Sequence, residues 1–434
     1  MQNVRRGAIV LIERHLMTTV FTNIKLLVNT REESTLLYGS ELQNLPSVEN
    51  AYLVVEGNEI ADFGTMSKFS GGSSGFDSID CSEKMIMPCW CDSHTHLVFA
   101  ESREHEFLDK IKGLSYAEIA AKGGGILNSA RKLQDTSEEE LFRRAWKRLT
   151  EIAKLGTGAV EIKSGYGLTT EAEIKMLRVI RKMRDQSALS IKSTFLGAHT
   201  YPLEYKADHQ GYIKLIIDEM LPVIASEKLA DYIDVFCEDG FFSAEETETI
   251  CRAGLSYGLK PKLHVNQLNS VGGIETGVAL NALSLDHLET LSEDDLLFLE
   301  DSSKSGRWKG VCTLLPSAAF FLRMPYQPAR KLIDSGCAVA LASDFNPGSS
   351  PSGNMNFVVA LSCIQMQMLP EEAINAATVN GAYAMELQRD LGSIAIGKKA
   401  NLIMTRPIPS LAYLPYSFGS NLVERVMIGG NWVE

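Results

Sequence analysis

Several features that define common classes of protein are missing from this sequence. No apolar run reaches the ~18 residues that a helix needs to cross a bilayer. The eight cysteines contain no Cys-x-x-Cys pair and no repeated spacing, which argues against a secreted domain held together by disulfides. Basic residues number 42 against 54 acidic ones, and the formal charge of −12 repels phosphate backbones. We therefore expect a cytoplasmic protein that binds neither membranes nor nucleic acid.

The amino-acid composition is that of a folded, globular protein. Hydrophobic residues make up 45% of the 434 residues and charged residues 22%, which excludes disorder and collagen-like repeats. At roughly 150 residues per domain, this length predicts two or three domains, or one large barrel with an appendage.

Both ends of the chain are rich in short β-branched runs bounded by turn residues, as strands are. Neither end is long enough to bury a core of its own. We therefore predict that residues 21–84 and 392–434 pair into one small β-sandwich. Residues 1–20 are expected to form a disordered N-terminal extension.

The middle of the chain, residues 85–391, alternates short apolar runs with stretches whose apolar residues recur every three or four positions. This alternation predicts an α/β architecture with a parallel sheet. Eight such units over ~260 residues fit a (β/α)8 barrel, and an open, doubly wound sheet is the alternative. The predicted strands are 85–91, 159–163, 191–196, 232–237, 260–265, 283–286, 310–314 and 338–342.

Chemically capable side chains collect at the C-terminal ends of these predicted strands. Five of the eight histidines lie there, and Asp344 follows the eighth strand. In a parallel barrel all of those ends face one rim, where catalytic groups gather. The five histidines are His94, His96, His199, His264 and His287.

The pair His94 and His96 is the sharpest of these signals. Residues i and i+2 of a strand project to the same side, so both rings can reach one cation. Two hydrogen-bonded surface histidines are the alternative, but His264 and Asp344 offer further ligands from other strand ends. Zinc and similar divalent ions prefer such sets of imidazole and carboxylate ligands. We therefore predict a metal site at this rim.

The other candidates each have a structural alternative. Asp344 precedes Asn-Pro-Gly, where an Asx turn or a helix cap is common, and His287 could be a core histidine held by Asp286. Arg103 lies among acidic residues and could form a weak surface ion pair. If it lies beside the metal site, its guanidinium group could instead bind a substrate carboxylate through two parallel hydrogen bonds. Tyr166 falls on the same rim, where a packing role is equally open.

Four separated motifs carry a resemblance to a known family. They are Asp-Ser-His-Thr-His-Leu-Val-Phe-Ala (92–100), Glu-Ile-Lys-Ser-Gly-Tyr-Gly-Leu (161–168), Leu-Gly-Ala-His (196–199) and Ser-Asp-Phe-Asn-Pro-Gly (343–348). With the histidines after strands five and six, these motifs resemble the amidohydrolase superfamily and, within it, the imidazolonepropionase family. The similarity runs from residue 21 to the end of the chain.

The resemblance implies a barrel of the amidohydrolase type and a specific reaction. Such enzymes hydrolyse the cyclic amide of 4-imidazolone-5-propanoate to N-formimino-L-glutamate in histidine degradation, with one zinc or iron ion and a metal-activated water. By motif position, the metal ligands are His94, His96, His264 and Asp344, and the catalytic residues are Asp344 and His287. The substrate-binding residues are Arg103, Tyr166, His199, Gln267 and Ser349, with Asn346 and Gly348 at positions that contact the product.

Two positions bear on the mechanism that the resemblance implies. Gln267 stands where some members carry glutamate, and an amide cannot act as a base, so proton transfer would fall on Asp344 and His287. Strand four ends in Phe-Cys-Glu (236–238), without the lysine that bridges two ions in related enzymes. This ending favours a single ion.

Two other functions remain open at this point. Another mononuclear amidohydrolase, such as a purine or pyrimidine deaminase, would keep the metal ligands but has no substrate carboxylate for Arg103 to bind. An inactive barrel that serves as a scaffold would lose metal ligands, and all four candidates are present. We expect an anionic small-molecule substrate and a homodimer, the default assembly for a barrel of this size.

Overall fold

The computed structural model describes residues 18–33, 35–70, 77–114 and 124–434. Within these ranges the strands are β1 Thr18–Val28, β2 Ser47–Glu56, β3 Glu59–Thr65, β4 Asp77–Asp80, β5 Met85–Pro88, β6 Trp90–Thr95, β7 Thr157–Lys163, β8 Ser190–Ala198, β9 Tyr232–Cys237, β10 Lys260–Val265, β11 Ser284–His287, β12 Val311–Leu314, β13 Val339–Leu341, β14 Leu402–Thr405, β15 Val423–Ile428 and β16 Asn431–Trp432. They form two sheets, one mixed and one parallel.

The helices connect and cover these strands. The α-helices are Glu104–Ile111, Ile126–Asp135, Glu138–Lys154, Thr170–Gln186, His209–Leu215, Leu221–Glu227, Ala244–Ser256, Gly273–Ala279, Glu293–Lys304, Pro316–Leu322, Ala329–Asp334, Met355–Met366, Pro370–Asn375, Gly381–Ala384 and Tyr413–Tyr416. Short 3-10 helices occupy Gly39–Gln43, Met66–Lys68 and Leu203–Tyr205, and π-helical turns occupy Ile216–Met220 and Ala376–Asn380. None of the described helices is both long and apolar enough to span a membrane.

The mixed sheet joins the two ends of the chain. Its order is β16-β15-β14-β5-β1-β2-β3, with β4 also paired to β1, so C-terminal strands continue a sheet that N-terminal strands begin. The predicted pairing of the two ends is therefore present. The β2–β3 hairpin turns at Gly57 and Asn58, residue types that favour a tight two-residue turn. Strand β1 already begins at Thr18, so the expected extension of residues 1–20 is wrong for residues 18–20, and residues 1–17 lie outside the described ranges.

The first predicted barrel strand, 85–91, is corrected by the structure. Met85–Pro88 pairs with β1 and β14 in the mixed sheet, whereas Trp90–Thr95 pairs with β7. The chain changes sheets between adjacent residues, because Cys89 N donates to Asn401 O at 3.0 Å and Trp90 N donates to Gly156 O at 2.9 Å. Residues 85–91 are apolar and buried throughout, so composition alone does not reveal this division.

The parallel sheet is a barrel of eight strands in the order β6 to β13. It closes where the loop after β13 meets β6: Thr95 bridges Phe345, and His96 N donates to Phe345 O at 2.9 Å. This closure confirms the predicted (β/α)8 barrel and excludes the open, doubly wound sheet. Because all eight strands run in one direction, the predicted site residues reach the same rim.

The helix Glu138–Lys154 shows how the periodic segments cover the barrel. Its buried residues recur at three- and four-residue spacing, as one apolar stripe facing the strands. Ser137 Oγ accepts a hydrogen bond from Glu140 N at 3.3 Å and so caps the first turn. The buried residues of this stripe are Leu141, Ala145, Leu149, Ile152 and Ala153.

Candidate active site

A cavity of about 390 Å³ opens at the C-terminal ends of the barrel strands. All of the predicted site residues except His94 line it, and His94 lies in contact with the lining histidines. The predicted residues on the lining are His96, Arg103, Tyr166, His199, His264, Gln267, His287, Asp344, Asn346, Gly348 and Ser349. The structure therefore brings together residues that are up to 255 positions apart in the sequence, from His94 to Ser349.

Three histidines form a compact group of potential metal ligands. One ring nitrogen each of His94, His96 and His264 lies within 4.8 Å of the others. Asp344 Oδ1 lies 3.6 Å from Nε2 of His94 and 3.6 Å from Nε2 of His96. His94 Nε2 is buried without a hydrogen-bond partner among the described residues. An unpartnered imidazole nitrogen facing two further imidazoles and a carboxylate is a donor set that fits a divalent metal ion.

Carboxylates behind two of these rings fix their orientation. His94 Nδ1 lies 2.6 Å from Asp286 Oδ2, and His264 Nδ1 lies 2.9 Å from Asp234 Oδ2. A carboxylate on Nδ1 places the proton there and leaves Nε2 with a free lone pair. Burial also lowers the pKa of His94 and of His264 well below the usual value, so both rings are neutral, as metal ligands must be.

Beneath the histidines lies a network of buried charges that the sequence analysis missed. Lys163 Nζ lies 2.8 Å from Asp234 Oδ2, 2.8 Å from Glu161 Oε1 and 3.4 Å from Asp286 Oδ2. Burial opposes the charge of Lys163, but these carboxylates raise its pKa above the usual value. Lys262 also pairs with Glu161. The sequence does contain a signal for this network: charged residues alternate with apolar residues within the barrel strands.

His287 is held by a different partner from the one expected. Its Nδ1 lies 3.2 Å from Glu289 Oε1, and Gln327 Nε2 donates to the same oxygen at 2.9 Å. Asp286 bonds to His94, so the core alternative in which Asp286 holds His287 is wrong. Burial alone would lower the pKa of His287, but the carboxylate of Glu289 raises it above the usual value.

The loop from Asp344 to Ser349 is shaped around the cavity. Asp344 N donates to His94 O at 3.0 Å, and Ser349 Oγ donates to Asp344 Oδ2 at 3.2 Å. Asn346 Oδ1 accepts hydrogen bonds from the backbone of Gly348 at 2.7 Å and Ser349 at 2.8 Å. The Asx turn therefore belongs to Asn346, and Asp344 is left facing the histidines. Burial raises the pKa of Asp344 to about 6.

Arg103 forms an ion pair and also lies at the cavity. Its Nε and Nη2 lie 2.8 and 2.6 Å from Glu106 Oε2, so it forms an ion pair, but one whose side chains are about nine-tenths buried. Arg103 also lines the cavity. A Cβ added to Gly348 would overlap Arg103 Nη1, well inside 3.0 Å, so the third nitrogen of the guanidinium packs directly on the Asp344–Ser349 loop.

Tyr166 and His199 form an aromatic wall of the cavity. The His199 ring stacks on His96 with a centroid distance of 5.3 Å, and Tyr166 lies 5.4 Å from His199. His199 Nδ1 lies 3.0 Å from Gly165 O, and burial lowers the pKa of His199 to about 4. A neutral His199 therefore presents one ring nitrogen for hydrogen bonding inside the cavity.

Comparisons with known proteins agree with this fold. The model of the amidohydrolase family matches residues 253–433. Among solved structures, a triazine hydrolase variant matches with a TM-score of 0.70 at 13% identity, covering 96% of this chain and 94% of that one. An adenosine deaminase from Xanthomonas campestris with bound zinc matches with a TM-score of 0.67 at 14% identity, covering 96% and 92%. The barrel fold and the family match together define the class of protein as an amidohydrolase.

Curated relatives identify the family within this class. The imidazolonepropionase of Flavobacterium johnsoniae is 56% identical over 419 residues, covering 95% of this chain and 99% of the relative. The imidazolonepropionase of Christiangramia forsetii is 54% identical over 421 residues, covering 96% and 100%. The chain belongs to the imidazolonepropionase family.

Proposed function

We propose that the chain hydrolyses the cyclic amide of 4-imidazolone-5-propanoate to N-formimino-L-glutamate, a step of histidine degradation. Identity of 54–56% to curated imidazolonepropionases over nearly the whole chain supports this reaction. The observation that carries it is the Asp344–Ser349 loop. Its first residue faces the histidine group and its Gly348 packs on Arg103, so one loop links a hydrolytic centre to a cation for the substrate carboxylate.

We propose one divalent ion, zinc or iron, held by His94, His96, His264 and Asp344. A divalent ion in such a site lowers the pKa of water and polarises a carbonyl group. A single ion is supported by Glu238 at the end of β9, which accepts hydrogen bonds from Leu268 N at 2.8 Å and Asn269 N at 3.2 Å. This carboxylate is satisfied by backbone amides and is not offered to a second ion.

The remaining cavity residues bind and orient the substrate. Arg103 attracts the propanoate carboxylate, and a charge-assisted hydrogen bond in a buried setting is strong. Tyr166, His199 and Gln267 contact the imidazolone ring from the cavity wall. Ser349 also contacts the substrate, and Asn346 and Gly348 hold the opened product, since their loop follows Asp344 directly.

Proton transfer falls on Asp344 and His287. Asp344 faces the histidine group, and its carboxylate can accept a proton from the attacking water. His287, whose pKa is raised, donates a hydrogen bond to the carbonyl oxygen as negative charge develops there. The bond between the carbonyl carbon and the ring nitrogen then breaks, and the nitrogen receives the proton that Asp344 accepted. Gln267 takes no part in proton transfer, because its side-chain amide is not a base.

A deaminase built on the same barrel is disfavoured by the relatives and by the site. The deaminases among the structural neighbours are 14% identical to this chain, which supports a shared fold alone. The chain also keeps Arg103 buried at the cavity, where a purine or pyrimidine offers no carboxylate to it.

The proposed reaction is tested with freshly prepared 4-imidazolone-5-propanoate. We expect the purified protein to remove the ultraviolet absorbance of this substrate and to form N-formimino-L-glutamate, one water heavier, by mass spectrometry. Adenine, guanine and cytosine serve as controls and should release no ammonia. Turnover of a nucleobase with no loss of imidazolonepropanoate would overturn the proposal.

We further propose that the protein acts as a homodimer in the cytoplasm. Its eight cysteines are all free thiols and seven of them are buried, which suits a reducing compartment. Light scattering should give twice the mass of one chain, and a monomer mass at working concentration would contradict the dimer.

A further inference from the structure

Lys110 is a cavity residue that no motif in the sequence marks. It lies in the last turn of the helix Glu104–Ile111 and is half-buried. Its Nζ donates a hydrogen bond to Gly348 O at 3.3 Å and lies 5.5 Å from the centroid of the Phe321 ring. Within the described ranges, no carboxylate forms an ion pair with this ammonium group. Among the described residues, Glu106 acts on this charge only from beyond ion-pair distance, so Lys110 presents a positive charge at the cavity that no direct carboxylate contact offsets.

Arg103, by contrast, is already paired. Two of its three nitrogens contact one oxygen of Glu106, and the other oxygen of Glu106 accepts a hydrogen bond from Gly125 N at 3.0 Å. Glu106 thus holds the guanidinium in place but offsets its charge. A substrate carboxylate that meets only Arg103 meets an ion pair with little net charge.

The two cations converge on one residue. Arg103 Nη1 occupies the space that a Cβ on Gly348 would need, and Lys110 Nζ donates a hydrogen bond to the carbonyl oxygen of the same residue. Both side chains also line the cavity. A carboxylate bound beside Gly348 can accept from Arg103 with one oxygen and from Lys110 with the other, since it offers about four lone-pair sites.

We propose that Lys110 is a second substrate-binding residue, which supplies the net positive charge that selects the carboxylate of the substrate. This assignment rests on the proposed function. The electrostatics agree with it, because burial and the neighbouring Arg103 lower the pKa of Lys110 by more than Glu106 raises it. An arriving carboxylate relieves the repulsion between the two cations, and a neutral group at the same position does not.

The test separates charge from shape at position 110. Lys110→Met keeps the length of the side chain and removes its charge, and Lys110→Arg keeps the charge. We expect Lys110→Met to raise KM for imidazolonepropanoate by about tenfold or more, with kcat changed less than about threefold, since a lost charged contact acts on binding. Lys110→Arg should stay within about threefold of the wild type in KM. Lys112→Met, an exposed lysine of the same region, is the matched control.

A substrate analogue provides a measurement that would not change if Lys110 had only a structural role. The propanamide analogue of imidazolonepropanoate carries no charge, so the preference of the enzyme for carboxylate over amide should fall by about tenfold in Lys110→Met. An unchanged KM and an unchanged preference in Lys110→Met, in protein with the wild-type melting temperature, would overturn the role of Lys110 alone. Absence of hydrolysis by the wild-type chain would overturn the proposed function, and the role of Lys110 with it.

Discussion

Asp286 Oδ2 lies 2.6 Å from His94 Nδ1, and both side chains are fully buried. Asp286 in turn lies 3.4 Å from Lys163 Nζ, which also contacts the Asp234 that holds His264. Two of the three histidines are therefore oriented by carboxylates that share one buried cation. The position of the ring nitrogens depends on a charge network inside the barrel, below the cavity that a substrate would enter.

Removing the charge of Asp286 should weaken metal binding. In Asp286→Asn the side chain keeps its size, but it no longer holds the proton on His94 Nδ1 with a full negative charge. We expect the affinity for zinc to fall by about 10- to 100-fold, measured by competition with a chromophoric chelator. Asp301→Asn, at an exposed position, is the control. Equal zinc affinity in Asp286→Asn and the wild type would contradict this role.

Lys163 should contribute to stability as well as to the site. Lys163→Met leaves the carboxylates of Glu161, Asp234 and Asp286 without their shared cation in a fully buried place. We expect the free energy of unfolding to fall by about 3–5 kcal/mol, measured by urea denaturation. Adding Asp234→Asn, which removes the charge of a carboxylate that has lost its cation, should recover part of the loss. The exposed Lys154→Met should change little, and a similar small effect in Lys163→Met would refute the network.

Gly348 should matter for binding and not for folding. A Cβ at this position would overlap the end of the Arg103 side chain, which can move away at little cost to the fold. We expect Gly348→Ala to raise KM for imidazolonepropanoate by about tenfold, because Arg103 is displaced, while the melting temperature changes little. Gly419→Ala, where a Cβ meets no atom within 4 Å, is the control. A wild-type KM in Gly348→Ala would show that Arg103 does not bind the substrate from this position.

Arg103 should make the main hydrogen bonds to the carboxylate, while Lys110 supplies the net positive charge beside it. We expect Arg103→Ala to raise KM by at least about 30-fold, since a desolvated charged contact is worth ~2–4 kcal/mol. The double variant Arg103→Ala with Glu106→Gln separates the lost contact from the carboxylate that the single variant leaves unpaired. Steady-state kinetics of both variants measure the effect. An unchanged KM in the double variant would refute the carboxylate-binding role.

The rim of the barrel could be predicted from the sequence because its residues follow directly from strand ends. The His-x-His pair, His264, His287 and Asp344 each come at the end of an apolar run, and parallel strands direct all such ends to one side. The sheet change between Cys89 and Trp90 could not be predicted in this way. The sheet change depends on which strand lies close enough to accept each backbone hydrogen bond. The local sequence does not specify that strand.

The supporting contacts were harder to predict than the rim. Glu289, which holds His287, and Lys110, which meets Gly348, are charged residues without a distinctive spacing. Their roles arise from side chains that meet across the folded barrel. A single sequence gives the chemical type of such residues, but the partner of each appears only once the strands and loops are in place.

The central claim is that His94, His96, His264 and Asp344 hold one catalytic ion. The most direct test follows the absorbance of imidazolonepropanoate with protein that has been stripped by a chelator and then titrated with zinc or iron(II). The account predicts no hydrolysis by the stripped protein, full activity at one ion per chain, and neither stoichiometric ion binding nor activity in His264→Ala. Full hydrolysis by the stripped protein, or by His264→Ala, would contradict it.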